Sequence, residues 1–244
     1  MRTLFEQDKH KCVMFSDMSS GEMVQANQFV VVHEGEGLLL DPGGHKVYTQ
    51  LLAEISRIVP AGNIRHIFLS HQDPDIVAAL NGWLLMTDAT AYLPEIWARF
   101  VTHFGIDEHI IKKVKQIGDD GGKIDIGGYE LQIIPAHYLH SAGNFHLYDP
   151  QSKILFTGDL GASLGMDYEV VDEFDSHIQY MEPFHQRFIP SNKAIKHWLN
   201  TIDALDLDIE TIAPQHGAVL VGKESVKNFL QWLDGLQCGF DLWE

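Results

Sequence analysis

Short apolar runs bounded by turn residues recur along this 244-residue chain, and segments with helical spacing lie between them. Residues 24–32 and 38–40 are apolar segments on either side of a turn of glutamate and glycine, which predicts a β-hairpin. Residues 46–58 carry leucine and isoleucine at helical spacing and are predicted to form an amphipathic helix. The apolar run 64–69 is predicted to be a buried strand.

The rest of the chain gives a similar mixture of elements. The predicted strands are residues 91–93, 144–148, 153–157 and 210–213, with a further hairpin that includes the glycine-rich segment 118–128. The predicted helices begin after Asp75 or span residues 95–104, 175–188, 191–204 and 224–236. Because strands and helices do not alternate strictly, an α/β sandwich of two sheets with helices outside fits better than a doubly wound sheet. We expect one domain over residues 1–244.

The composition excludes several kinds of partner. The chain has 17 basic and 34 acidic residues, and its net charge of −17 repels nucleic acid and anionic membrane surfaces. No run approaches the roughly 18 apolar residues of a membrane span, and the first residues lack the apolar segment of a secretion signal. Cys12 and Cys238 are too few for a disulfide framework or a thiolate metal cage. We therefore expect a cytoplasmic protein that binds neither nucleic acid nor membrane.

The most informative stretch begins where the predicted strand 64–69 ends. His71, Asp73 and Asp75 occupy alternate positions, and alternate side chains of an extended chain point the same way. Pro74 restricts the backbone and stiffens this loop. An imidazole and two carboxylates that converge on one point call for a cation among them. Taken alone, the cluster is also typical of a strand-end turn with helix-capping acids.

More candidate ligands follow other apolar strands. They lie near the ends of predicted strands and are Asp41, His140, Asp159 and His216. Loops at strand ends are where α/β proteins gather functional groups. A single strand-end aspartate usually caps a turn and a single histidine is usually structural, but the joint order along one chain is far more specific.

This order resembles the metallo-β-lactamase superfamily and, within it, the di-iron domain of flavodiiron proteins. The usual superfamily loop reads His-x-His-x-Asp-His, and flavodiiron proteins have Glu in place of its second histidine. Here Asp73 stands at that position, and Ile76 stands where the final histidine would be. The resemblance extends over residues 24–235. It implies the metallo-β-lactamase αβ/βα sandwich, with two mixed β-sheets and helices outside, as a single di-iron domain.

The resemblance also implies a ligand set for two metal ions. One ion would be bound by His71, Asp73 and His140, the other by Asp75 and His216, with Asp159 bridging the two. Ile76 has no donor atom, which implies an open position on the second metal for water or a small molecule. A site rich in carboxylate oxygen favours non-haem iron, so we expect two iron ions in preference to zinc or manganese.

The function implied by the resemblance is that of a non-haem di-iron protein that binds O2 or another small diatomic ligand as an oxygen sensor. Residues 1–244 contain no flavodoxin domain, which carries the electron donor in flavodiiron proteins, so sustained reduction would need a redox partner. Two alternatives are an O2 or NO reductase fed by separate redox proteins and a metal-dependent hydrolase of a thioester or phosphodiester. A signalling partner protein and a homodimer are also implied by the resemblance.

Five other polar residues are interpreted as supporting or structural. His137 and His146 lie close to His140 and are alternative ligands, but the motif match at His140 favours structural roles for both. Glu182 and His185 have the spacing of a helical metal-binding pair. The resemblance places this segment on an outer helix, so we expect surface or dimer-contact residues there. Asp41 is expected to support a ligand or a turn.

Overall fold

The computed structural model describes residues 1–16, 18–19, 22–107 and 110–243. The contacts of the chain divide it into two compact units, Met1–Ile133 and Ile134–Glu244, which we call the N-terminal and C-terminal units. Within the described residues, every helix is too short or too polar to span a membrane.

The N-terminal unit contains a seven-stranded mixed sheet in the order β1-β2-β3-β4-β5-β6-β7. Its strands are β1 (Arg2–Gln7), β2 (His10–Phe15), β3 (Gln28–His33), β4 (Glu36–Leu40), β5 (Ile64–Phe68), β6 (Thr90–Pro94) and β7 (Val114–Ile117). Strands β1 to β4 pair antiparallel, and β4 to β7 pair parallel. A hairpin of β8 (Gly122–Ile126) and β9 (Tyr129–Pro135) follows.

Three helices accompany this sheet: α1 (Tyr48–Ile55), α2 (Pro74–Val77) and α3 (Leu80–Met86). Single 3₁₀ turns lie at Ala61–Asn63, Glu95–Trp97, Val101–Phe104 and Ile111–Lys113. The apolar core of the unit includes Leu39 of β4, Leu51 of α1, Ile67 of β5 and Trp83 of α3, all fully buried. Because β5 lies between two parallel neighbours, its apolar run ends at a buried edge from which the next loop leaves.

The C-terminal unit contains β10 (Phe145–Asp149), β11 (Ile154–Phe156), β12 (Thr211–Ala213) and β13 (Leu220–Val221), and the helices α4 (Phe174–Phe188), α5 (Asn192–Ala204) and α6 (Lys223–Gly235). A 3₁₀ turn follows at Gly239–Leu242. Strand β11 pairs antiparallel with β10 and parallel with β12, and β12 pairs antiparallel with β13. The core includes Trp198 of α5, Phe229 of α6 and Ile212 of β12.

Most predicted elements are confirmed. The hairpin predicted at 24–40 is β3 and β4, the helix predicted at 46–58 is α1, and the two helices predicted on either side of Pro190 are α4 and α5. The mixed sheets and helices of the predicted α/β sandwich are also confirmed. A single domain over residues 1–244 stays a prediction.

Two predicted helices differ from the structure, and the strands β7 and β13 and one hairpin were not predicted. The helix predicted at 95–104 is wrong, because this stretch forms two 3₁₀ turns. The helix predicted after Asp75 breaks into α2 and α3, since the Ala79 N–H bonds to the Gly43 carbonyl oxygen instead of continuing the helix. The hairpin β1–β2 was not predicted, because β1 is a largely exposed edge strand with a weak apolar signal.

Candidate metal centre

His71 follows directly on the end of β5 and is held by a carboxylate–serine pair. The Ser70 backbone N–H donates to Asp41 Oδ1 at 2.8 Å, and the Ser70 hydroxyl donates to Asp41 Oδ2 at 3.0 Å. Ser70 Oγ also lies 3.0 Å from His71 Nδ1. Because the hydroxyl proton is directed to Asp41, Oγ accepts from the Nδ1–H, and Nε2 is then the unprotonated nitrogen of His71, which is the form that can bind a metal. The supporting role expected for Asp41 follows from these bonds.

Asp73 precedes α2 with an extended backbone, and its Oδ2 lies 3.6 Å from His71 Nε2. Pro74 occupies the first turn of α2, so Asp75 is helical and not extended. The expected strand-like alternation therefore holds for His71 and Asp73 but is wrong for Asp75. Ile76 is fully buried in the apolar core of the N-terminal unit.

His140 lies on a tight loop after β9. Its φ of 89° and the φ of 65° at Tyr138 are uncommon for residues with a side chain. The loop is closed by Tyr138 N–H donating to the Ser141 carbonyl at 2.8 Å, and by the Asn144 amide donating to the Leu139 carbonyl at 3.0 Å. These bonds hold the strained backbone that presents the imidazole.

Asp159 and His216 lie on two loops that are bonded to each other. The Gln215 N–H donates to the Gly158 carbonyl at 2.7 Å, and the Ser163 N–H donates to the His216 carbonyl at 3.1 Å. Gly217 has a φ of 82°, and a Cβ there would come within 2.1 Å of Ser163 Oγ. Only glycine therefore allows the two loops to approach so closely.

The Asp159 carboxylate, 4% exposed, is shared by two histidines. Its Oδ2 lies 3.5 Å from His140 Nε2, and its Oδ1 lies 3.5 Å from His216 Nε2. Direct N–H···O hydrogen bonds are shorter, about 2.7–3.2 Å. Two atoms that each lie about 2.1 Å from one metal ion are roughly 3.0–3.5 Å apart, so the spacing fits shared coordination. The donor set of buried imidazoles and a carboxylate therefore fits a metal on each side of Asp159.

His185 of α4 fixes the Asp159 loop from outside the ligand set. Its Nε2 accepts from the Gly161 N–H at 2.9 Å, and its Nδ1–H donates to the Met181 carbonyl at 2.7 Å. Complete burial lowers the pKa of His185 to about 4, so the imidazole is neutral. The prediction that His185 is a surface or dimer-contact residue is wrong, because the residue faces inward. Glu182 is partly buried and accepts from Gln186 at 2.8 Å.

The structural interpretation of His137 and His146 is consistent with their surroundings. The ring of His146 is fully buried and lies edge-on to Trp198 of α5, with centroids 5.2 Å apart. His137 lies edge-on to Phe145 with centroids 5.1 Å apart.

Two side chains that sequence reasoning did not assign to the site lie beside its histidines. Phe184 and Phe188, one helical turn apart on α4, contact the imidazole of His140. Their spacing is ordinary for an amphipathic helix, so the sequence did not indicate that these two side chains contact His140.

Comparison of the fold with solved structures indicates the class of protein. The core of rubredoxin oxygen:oxidoreductase from Desulfovibrio gigas matches with a TM-score of 0.81 at 14% identity, over 96% of this chain and 61% of that chain. At this identity the likeness shows the fold alone, which is the metallo-β-lactamase-like fold of flavodiiron proteins.

The particular family follows from closer matches. The model of the ODP family beta lactamase matches residues 24–217, more than half of the chain, so the chain belongs to this family. A structure described as a peroxy di-iron species of the chemotaxis sensor ODP is 38% identical, with a TM-score of 0.88 over 99% of this chain and 97% of that chain. The apo state of the chemotaxis sensor ODP from T. denticola is 36% identical, with a TM-score of 0.85 over the same shares.

Curated relatives are more distant and longer. Diflavin flavoprotein A 1 from Synechocystis sp. is 24% identical over 156 residues, which are 63% of this chain and 26% of that protein. Putative diflavin flavoprotein A 2 from the same organism is 27% identical over 171 residues, 66% of this chain and 27% of that protein. The chain thus spans about a quarter of the length of these relatives.

Proposed function

We propose that this protein binds two iron ions and O2 and works as an oxygen sensor. The observation that carries the two-metal part is Asp159, whose two oxygens each face the Nε2 atom of a different histidine at 3.5 Å. A carboxylate placed in this way can give one oxygen to each of two ions. Iron and sensing are supported by 38% identity, over almost the full chain, to a sensor described as a di-iron species.

The proposed ligands are the six residues that the resemblance implies. One iron would be held by His71, Asp73 and His140, the other by Asp75 and His216, with Asp159 shared. Bound iron would supply the electrons on which O2 binding draws. The surrounding residues support this assignment, since Ser70 contacts Nδ1 of His71 and His185 bonds to the loop that carries Asp159.

The test is the metal content and visible spectrum of protein purified without oxygen. We expect about two irons per chain and an absorbance change on exposure to air that needs no added cofactor. One tightly held zinc per chain, with no response to iron supplementation, would overturn the di-iron assignment and favour the hydrolase alternative.

The reductase alternative is supported by the fold shared with rubredoxin oxygen:oxidoreductase. The number of O2 molecules consumed per site distinguishes a reductase from a sensor. A sensor mixed with NADH and O2 takes up O2 once per site and then stops. An oxygen electrode that records many turnovers without an added redox protein would show that the chain is a reductase and not a sensor.

We also propose a cytoplasmic location and a signalling protein as the partner that responds to the site. The two cysteines are buried and are too few for the disulfide framework of a secreted domain, which fits a reducing compartment. A redox partner and a homodimer are the further assemblies that the family resemblance implies. Light scattering with and without O2 would measure the oligomeric state in both conditions.

A further inference from the structure

The aromatic rings of Phe184 and Phe188 on α4 pack on the histidines of the C-terminal unit. The Phe184 ring is stacked on the His140 imidazole, with centroids 5.8 Å apart and an interplanar angle of 26°, and lies 6.5 Å from the His216 ring. The Phe188 ring meets His140 edge-on at 5.3 Å. The two phenyl rings touch each other at 4.6 Å. Phe184 therefore contacts both histidines that face Asp159.

These two rings are not part of the apolar core of the C-terminal unit. The α4 side chains of that core include Phe174 and Met181. Phe188 is 49% exposed, so its ring reaches the surface beside His140. The rings they contact are the imidazoles of His140 and His216, the other phenyl ring and, for Phe184, the buried His185.

Helix α4 is fixed against the site by a buried hydrogen bond. His185, next to Phe184 in sequence, accepts from the Gly161 N–H two residues after Asp159. This bond ties the helix to the loop that carries the shared carboxylate. The positions of the two rings over His140 and His216 are consequently fixed by a regular helix that is bonded to the loop carrying Asp159.

We propose that Phe184 and Phe188 form an apolar cover that determines which small molecules reach His140, Asp159 and His216. The proposal rests on the proposed function and adds the chemical class of ligand, a neutral diatomic molecule. An anion such as azide must shed its hydration to pass phenyl rings, whereas O2 has almost no hydration to lose. The cover thus admits O2 and holds back water, anions and charged chelators.

The experiment compares Phe184→Leu and Phe188→Ala with Phe100→Ala as the matched control. Phe100 is 58% exposed and contacts Trp97 in the N-terminal unit, so its loss tests the effect of removing any exposed phenyl ring. Phe188→Ala removes a half-exposed ring and Phe184→Leu keeps an apolar side chain, so both variants are expected to fold.

The first readout tests whether the rings shield His140 from a reagent larger than O2, and it uses metal-free protein and the rate at which diethylpyrocarbonate modifies His140, followed by mass spectrometry. We expect both cover variants to react roughly three- to tenfold faster, the range that an aromatic contact is worth, with no change in Phe100→Ala. Equal rates in all variants would overturn the cover, whether or not the protein binds iron.

The second readout uses iron-loaded protein and the ratio of azide to O2 association rates. We expect the ratio to rise in both cover variants and to stay constant in Phe100→Ala. A constant ratio in a protein that holds two irons would overturn the selectivity while leaving the proposed function intact. A protein that holds no iron would instead refute the proposed function, and the first readout would still decide on the cover.

Discussion

At the scale of single residues, the donor properties of His71 depend on two side chains that are not ligands. The Asp41 carboxylate accepts a hydrogen bond from the Ser70 hydroxyl, and Ser70 Oγ faces His71 Nδ1. This series of hydrogen bonds determines which nitrogen of the His71 ring carries the proton. Groups that orient a metal-bound histidine in this way are worth roughly 10–100-fold in metal affinity.

Ser70→Ala is expected to weaken iron binding by roughly 10–100-fold, because the neutral imidazole is then free to carry its proton on Nε2. Ser70→Thr retains the hydroxyl and should restore most of the affinity. The measurement is the rate at which a chelator removes iron. Ser152→Ala is the matched control, since the Ser152 hydroxyl donates to the Asp149 carboxylate in the C-terminal unit at a distance of 2.5 Å. An unchanged rate in Ser70→Ala would contradict the orienting role of Ser70.

The identity of residue 76 gives a second test at this scale. Ile76→His places an imidazole where the family resemblance has a ligand. We expect slower loss of the second iron to a chelator and slower azide binding, together with a lower unfolding free energy because Ile76 is fully buried. Ile76→Val, which keeps the site apolar, serves as control. If Ile76→His loses stability but changes neither iron loss nor azide binding, residue 76 does not face the metal.

The proposed ligands could be selected from the sequence because their order along the chain is a pattern, whereas the residues that contact them could not. His71, Asp73, His140, Asp159 and His216 each stand in a motif near a strand end. Ser70, His185, Phe184 and Phe188 act through contacts with residues distant in sequence, and their local patterns are those of an ordinary loop and an ordinary amphipathic helix.

At the scale of elements, helix α4 carries two buried histidines that cannot easily be protonated. His177 is fully buried and contacts the Tyr168 hydroxyl through Nδ1 at 2.8 Å, and His185 contacts Gly161 and Met181. Burial lowers the pKa of both imidazoles from 6.5 to about 4. The unfolded chain therefore binds protons at a pH at which the folded protein does not.

The stability of the metal-free protein is expected to fall as the pH decreases from about 6.5 to about 4. Each histidine contributes up to roughly 1.4 kcal/mol per pH unit in this window, because proton uptake by the unfolded state lowers its free energy. Above pH 7 both forms are neutral and the effect vanishes. Urea unfolding at several pH values measures it, and His177→Phe should remove about half of the slope. An unaltered slope in this variant would show that His177 is protonated in the folded state.

The boundaries of elements were predicted best where apolar periodicity is strong. Helices α5 and α6 bury residues three and four positions apart, such as Ile195, Trp198 and Ile202, and both were predicted. The stretch 95–104 has apolar residues too, but it forms two 3₁₀ turns instead of one helix. The break between α2 and α3 depends on Gly43, more than thirty residues away, and has no local signal.

At the scale of the whole molecule, the charge of −17 is linked to metal binding, since three of the 34 acidic residues are proposed ligands. Asp73, Asp75 and Asp159 each add a negative charge that two divalent ions would offset. Removal of the ions should leave these carboxylates without their counter-charges, which raises the electrostatic energy of the folded state.

Iron is therefore expected to raise the melting temperature of the protein. A metal present at about 100 times its Kd contributes about 2.7 kcal/mol, which corresponds to roughly 5–10 °C for a chain of this size. The measurement is thermal unfolding without oxygen, in chelator, with Fe²⁺ and with Zn²⁺. Asp159→Asn should abolish most of the iron-dependent increase while leaving the melting temperature in chelator unchanged or higher, because it removes a buried charge from a site that then holds no metal. A wild-type increase that Asp159→Asn retains in full would show that Asp159 does not bind the iron.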